Sequence, residues 1–93
     1  MAKIIIPTPL RKFTDNQSTF ETSGKTVKEA IEELTTTHRS LSQHLLDVNN
    51  NIRSFIRIYI GDEDINSLQK EATVVEANTV ISIVPAIAGG MGL

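Results

Sequence analysis

Side chains able to do chemistry are few in this chain, and most are wrongly spaced for it. Gly24-Lys25-Thr26 has the look of the end of a phosphate-binding loop, whose backbone amides cradle phosphates. That loop needs a further glycine five positions before Gly24, where Thr19 stands. Gly24 therefore reads as a turn residue and Thr26 as a helix cap. Asp47-Val48-Asn49-Asn50-Asn51 starts like a calcium loop, but Ile52 and Ile58 occupy the places that require glycine and a bidentate glutamate. His38 and His44 lie six apart, off the spacing that sets two ligands on one helical face, and read as solvated helix residues. Asp62, Glu63 and Asp64 are carboxylates in sequence, but nothing around them reads as a pocket for acid–base work, and an exposed acidic turn accounts for them. There is no cysteine, so neither disulfides nor thiolate chemistry come from side chains. The body of the chain offers no catalytic group and no metal site.

What remains is main chain. The last residues run Pro85-Ala86-Ile87-Ala88-Gly89-Gly90-Met91-Gly92-Leu93, without a charged side chain. Gly89 and Gly90 lack Cβ, so a partner can close around the backbone without steric penalty. From Ala86 to Gly90 an extended tail reaches roughly 17 Å. Such a segment sheds side chains so that it can be handled by another protein.

The run Val84-Pro85-Ala86-Ile87-Ala88-Gly89-Gly90 resembles the end of the ubiquitin-like sulfur-carrier (ThiS/MoaD) family, which includes the molybdopterin synthase small subunit, the thiamin sulfur carrier and a carrier used in one route to cysteine. Within that family the look is nearest to the cysteine-route carrier. Ile6-Pro7-Thr8 with Leu10-Arg11 resembles its first strand and loop, and Ile58-Tyr59-Ile60 with Asp62-Glu63-Asp64 resembles its middle hairpin. In the family the diglycine is terminal. Here Met91, Gly92 and Leu93 follow, so the resemblance implies a precursor whose last residues are removed.

Composition bounds the rest. With 93 residues there is room for one core. The domain is expected over 1–85, with a flexible tail over 86–93. Apolar residues at 40 % and charged residues at 22 % fit an ordinary soluble domain. Nine basic against eleven acidic residues give a net charge of −2 with no basic block, which argues against nucleic acid or an anionic membrane as partner. The N-terminal apolar run is too short for a signal peptide or a membrane span. A cytoplasmic location is expected.

The elements that must position the tail follow from pattern. Residues 3–6 read as a strand with Ile4 and Ile6 inward, ended by Pro7. Pro9 is expected to keep the chain out of helix, and Asp15-Asn16 supply a turn. A second strand is expected over 17–22, with Phe20 inward. Thr26 and Glu29 form a capping box, and Val27, Ala30, Ile31 and Leu34 follow as an apolar stripe, predicting a helix from 27 to 36 or 37. Leu41, Leu45 and Leu46 predict a shorter helical turn over the core. A third strand is expected over 53–60 with Ile56, Ile58 and Ile60 inward. Residues 61–64 turn the chain, Ile65 begins a short return strand and Leu68 enters the core. The last strand spans 79–84 and ends at Pro85. This order implies an α+β fold, one sheet on one main helix. It is also the order of the β-grasp fold of ubiquitin, in which first and last strands lie parallel at the sheet centre.

The resemblance implies a carrier that is not an enzyme and binds no cofactor or metal. A zinc metalloprotease of the deubiquitinating type would remove Met91, Gly92 and Leu93. A ubiquitin-activating-type adenylating enzyme would use ATP to join AMP to Gly90, a sulfur donor would displace AMP, and a sulfur-acceptor synthase would take the sulfur. Gly90 is then the attachment residue, with Gly89, Ala88 and Ile87 giving access. The docking face is expected on the sheet side opposite the helix, with Arg57 and Tyr59 on the third strand and Ser82 and Val84 on the last turned outward. Cysteine, homocysteine or methionine synthesis is the pathway class favoured by resemblance. Molybdopterin or thiamin synthesis, a protein modifier joined to lysines through Gly90, and a binding module with an incidental tail stand as alternatives.

Overall fold

A computed structural model describes residues 1–85. Its strands are β1 (Ala2–Ile5), β2 (Thr19–Thr22), β3 (Ile56–Ile60), β4 (Glu63–Asp64) and β5 (Val80–Pro85). Its α-helices are α1 (Val27–Thr37) and α2 (Arg39–Leu45), and 3₁₀ turns cover Thr8–Phe13, Ile65–Ser67 and Lys70–Ala72. The sheet order is β2-β1-β5-β3-β4, with β1 and β5 parallel at its centre and the other neighbours antiparallel. This is the mixed β-grasp sheet packed on one main helix that the pattern implied.

The two central strands earn their places by what they bury. Ile4, Ile6, Ile81 and Ile83 are at most 2 % exposed. Opposite them α1 contributes Val27, Ala30, Ile31 and Leu34, the stripe read from its 3.6-residue period. Leu41 and Leu45 of α2 are fully buried as well. Thr26 caps α1 by accepting the Glu29 N–H at 3.2 Å. The Glu29 carboxylate reaches the Lys25 N–H at 2.9 Å, one residue further back than a capping box requires. Outside the helix start, the chain at 73–75 takes the remaining groups: Val27 N–H donates to Thr73 O, and Val75 N–H to Lys25 O.

Several local expectations are corrected. Pro9 does not exclude helix. It sits in the first turn of the 3₁₀ segment Thr8–Phe13, where its missing N–H leaves no bond unmade. The short return strand is Glu63–Asp64, and Ile65 opens a 3₁₀ turn that Asp64 caps through the Asn66 N–H. Ile65 enters the core at 5 % exposure, whereas Leu68, at 36 %, stays outside the turn that its own N–H closes on Ile65 O. Pro85 belongs to β5, opposite Ile56. Gly61 N–H donates to Val80 O, so by antiparallel alternation Val84 bonds towards β3 and the Pro85 nitrogen points away from it. On that far side β1 reaches only Ser82, so the imino nitrogen removes no ladder bond.

Gly24 does more than turn the chain. A Cβ there would lie 2.6 Å from the Ala30 nitrogen, so glycine is needed for β2 to pass this close to α1. The same junction holds the Glu33 carboxylate by two hydrogen bonds. Thr22 Oγ1 donates to Glu33 Oε1 at 2.6 Å and Ser23 N–H donates to it at 2.9 Å, while Gly24 N–H donates to Thr22 Oγ1 at 3.0 Å. The Thr22 hydroxyl first, then the Ser23 amide, hold the Glu33 pKa below its ordinary value of 4.5. A depressed carboxylate pKa stabilises the fold above the unfolded-state value and ceases to as pH falls through the folded one. Glu33→Gln is therefore expected to lower the urea midpoint at neutral pH, with the gap to the parent closing on acidification below 4.5. A gap of constant size at all pH values would show that the ionised form contributes nothing.

Candidate functional site

The tail residues Ala86, Ile87, Ala88, Gly89, Gly90, Met91, Gly92 and Leu93 lie outside the described residues. What the structure places is their root and the surface around it. β5 is held by β1 over Val80–Ser82 side and by β3 from Ile81 to Pro85. The described chain thus ends from the middle of the sheet, on a strand paired along both sides for part of its length.

Arg57, Tyr59, Ser82 and Val84 come together. The register sets Arg57 against Val84 and Tyr59 against Ser82, and residues directly opposite in a sheet project to one face. Their neighbours Ile56, Ile58, Ile81 and Ile83 are buried on the helix side, so this is the outer face. Arg57 and Val84 are exposed, Tyr59 and Ser82 half-buried. Arg57 reaches Asp64 Oδ2 across the β3–β4 hairpin at 3.5 Å, which keeps the guanidinium at the margin and half-neutralised.

Three further residues complete the face. Ile5 lies against Ser82 and Lys3 against Val80; Val80 is 39 % and Val84 42 % exposed. The centre is therefore apolar, from Ile5, Tyr59, Val80 and Val84, with Lys3 and the Arg57–Asp64 pair at its borders. Val80 was legible as the residue two before Ser82. The inward assignment of Ile4 and Ile6 already put Ile5 on the outer face, but only the ladder between β1 and β5 sets it beside Ser82.

The histidines correct the reading of solvated side chains. His44 stacks on Phe13 with centroids 4.1 Å apart, and His38 meets Phe20 edge-on at 5.8 Å. Each is half-buried and fastens a helix to a neighbouring segment. Asp62 and Glu63 are exposed at the turn of the β3–β4 hairpin, as their sequence implied, whereas Asp64 is half-buried on β4, paired with Arg57 and accepting the Asn66 N–H. Among the described residues no cluster of three or more His, Cys, Asp or Glu side chains could hold a metal ion. No helix among them is long and apolar enough to cross a membrane.

Residues 4–90 match the ThiS family. The chain belongs to it. A curated relative, the sulfur carrier protein CysO of Mycobacterium tuberculosis, is 33 % identical over 89 residues, covering 94 % of this chain and 96 % of CysO. A solved BexX/CysO complex from Amycolatopsis orientalis contains a chain that superposes with a TM-score of 0.87 at 30 % identity, covering 97 % of this chain and 100 % of that one. The small archaeal modifier protein 1 of Methanosarcina acetivorans reaches a TM-score of 0.85 at 21 % identity, covering 96 % and 95 % of the two chains. At that identity the likeness shows the ubiquitin-like fold alone. The ThiS match ends on Gly90 and leaves Met91, Gly92 and Leu93 beyond it.

Proposed function

We propose that this chain is a cytosolic sulfur carrier whose working group is the carboxyl of Gly90, freed by removal of Met91, Gly92 and Leu93. The observation that carries this reading is the 33 % identity, across 94 % of the chain, to a protein named as a sulfur carrier. The end of the family match on Gly90 supports the same residue as attachment point.

The chemistry asks little of the carrier. Hydrolysis of the Gly90–Met91 peptide bond adds water across it, giving the Gly90 carboxylate and a free tripeptide. In a zinc protease the metal would polarise the carbonyl and lower the pKa of the attacking water to about 7. A carboxylate is a poor electrophile, so an activating enzyme lets it attack the α-phosphorus of ATP, and pyrophosphate leaves. A sulfide-level donor then attacks the acyl carbon, AMP departs, and a thiocarboxylate remains. Its sulfur is a nucleophile on a tether, and delivery to a bound acceptor becomes effectively intramolecular once the carrier docks. The outer face at Tyr59 and Val84, apolar at its centre and charged at its border, suits a partner that docks and leaves. A synthase of the cysteine, homocysteine or methionine class is the proposed acceptor partner.

Intact mass of the protein from its native host tests the reading. The expected mature species ends at Gly90, with one carboxyl oxygen replaced by sulfur. A mature species ending at Leu93 in cells with an active sulfur pathway would overturn the precursor step, and an isopeptide from Gly90 to a lysine would make the chain a modifier instead. Gly90→Val is expected to abolish both trimming and thiocarboxylation while leaving the circular dichroism spectrum unchanged, because a cleft shaped for glycine rejects a branched side chain.

A further inference from the structure

Three of the nine basic residues stand together in a chain whose net charge is −2. Arg53, Arg57 and Lys70 line a groove of about 280 Å³ between the start of β3, with the turn that leads into it, and the chain from Ile65 to Glu71. Glu71 is the one carboxylate among the lining residues, and its Oε2 accepts the Ile52 N–H at 3.5 Å.

Two of the cations are anchored and still keep donors to offer. Arg53 donates from Nε to Gln43 O at 3.1 Å, which fixes the guanidinium and leaves its terminal N–H groups for another acceptor. Arg57 donates from Nη1 to Asp64 Oδ2 at 3.5 Å and likewise keeps its other donors. Both groups therefore lose little freedom when an anion arrives. Lys70 makes no ion pair among the described residues. Its backbone φ of 54° lies in the left-handed region that side-chain-bearing residues rarely enter. The turn that Thr73 N–H closes on Lys70 O at 3.0 Å keeps it there.

The groove itself narrows the choice of ligand. Ile56, Ile58 and Ile65 line its floor at 6, 2 and 5 % exposure, so an apolar ligand would gain little by burial there. Arg57 and Lys70 are exposed and Arg53 is half-buried. The donors thus stand at the rim, where they meet side chains carried on another surface more readily than a small molecule that must be enclosed. Asp64 and Glu71 beside the cations, together with the negative net charge, disfavour a polyanion such as nucleic acid. We infer that this groove receives carboxylate side chains from an acidic segment of a partner protein. Arg57 belongs both to the groove and to the outer face, where it lies against Val84. A partner covering Tyr59 and Val84 has the groove at its margin, and acids placed at that margin steer the encounter and fix its register. Contact runs through side chains alone and asks nothing of the β3 main chain. The partner's position rests on the docking reading of the outer face; its charge does not, and the test uses neither tail nor sulfur chemistry.

The isotope-labelled full chain is titrated with a capped synthetic peptide alternating glutamate and serine, while amide and arginine Nε–H signals are followed. The largest shifts are expected at Arg53, Arg57 and Lys70, with the Nε–H signals of both arginines moving together with the amides. Lys70→Asn, which suits a left-handed backbone and removes the charge, and Arg57→Gln are each expected to weaken binding about two- to fivefold with the fold intact. Lys12→Gln, which removes the same charge outside the groove, is expected to leave the affinity unchanged, and added salt should narrow the differences. An equal loss from Lys12→Gln would show attraction by overall charge alone and would overturn the proposal. So would shifts confined to other surfaces, no shifts at all, or an equal response to the same peptide carrying lysine for glutamate or to inorganic phosphate. Each of those outcomes leaves the expected mass of the mature chain untouched.

Discussion

A chain ending at Gly90 is expected to support ATP–pyrophosphate exchange with its activating enzyme, and the chain ending at Leu93 is expected to support none. The carboxyl of Leu93 sits about 10 Å beyond that of Gly90 when extended. On the proposed reading, Met91 and Leu93 add two large side chains to a segment that the activating enzyme receives as bare glycine backbone. Adenylation needs the carboxylate oxygen in line with the α-phosphorus of ATP, and misplacement by even about 1 Å can cost on the order of a hundredfold. Loss of exchange is thus an all-or-none effect at ordinary assay sensitivity. Equal exchange by both chains would mean that the tripeptide is no block and that removal is not a required step.

Ile83→Ala is expected to cost about 2–5 kcal/mol, read as a fall in the urea midpoint with an unchanged slope. Ile83 is 2 % exposed in a central strand, opposite Ile58 of β3 at the same exposure, so truncation leaves a cavity that neither strand can close. A small domain has about 5–15 kcal/mol in all, which makes this one of the largest single losses available. Val84→Ala, one position on but 42 % exposed on the outer face, should change stability by no more than about 0.5 kcal/mol. Equal losses at the two sites would contradict the assignment of faces.

Most of the architecture is legible in short stretches of sequence. The Thr26 cap and the Val27–Leu34 stripe locate α1 to within a residue, because both signals act inside a few helical turns. Alternation in Ile56-Arg57-Ile58-Tyr59 assigns the faces of β3 correctly. Boundaries are less legible: β3 starts at Ile56 rather than at 53, because Ile56 N–H closes a turn on Arg53 O before the ladder begins. Val75, buried at 6 %, passed unnoticed, since its burial comes from a chain segment strapped across the start of α1 and not from any local period.

The sequence by itself determined a small α+β domain followed by a glycine-rich segment, and it determined that Arg57, Tyr59, Ser82 and Val84 turn outward. These are consequences of period and composition, which act over a few residues. Only the tertiary structure decided that Arg57 lies against Val84 and that Ile5 joins their face, because those contacts are ladder bonds between segments tens of residues apart. It also decided that Arg53, Arg57 and Lys70 share one groove in a chain with no basic block. A charge cluster drawn from separate segments leaves no trace in any window of sequence. It exists only once the start of β3 and the chain from Ile65 to Glu71 have been brought side by side.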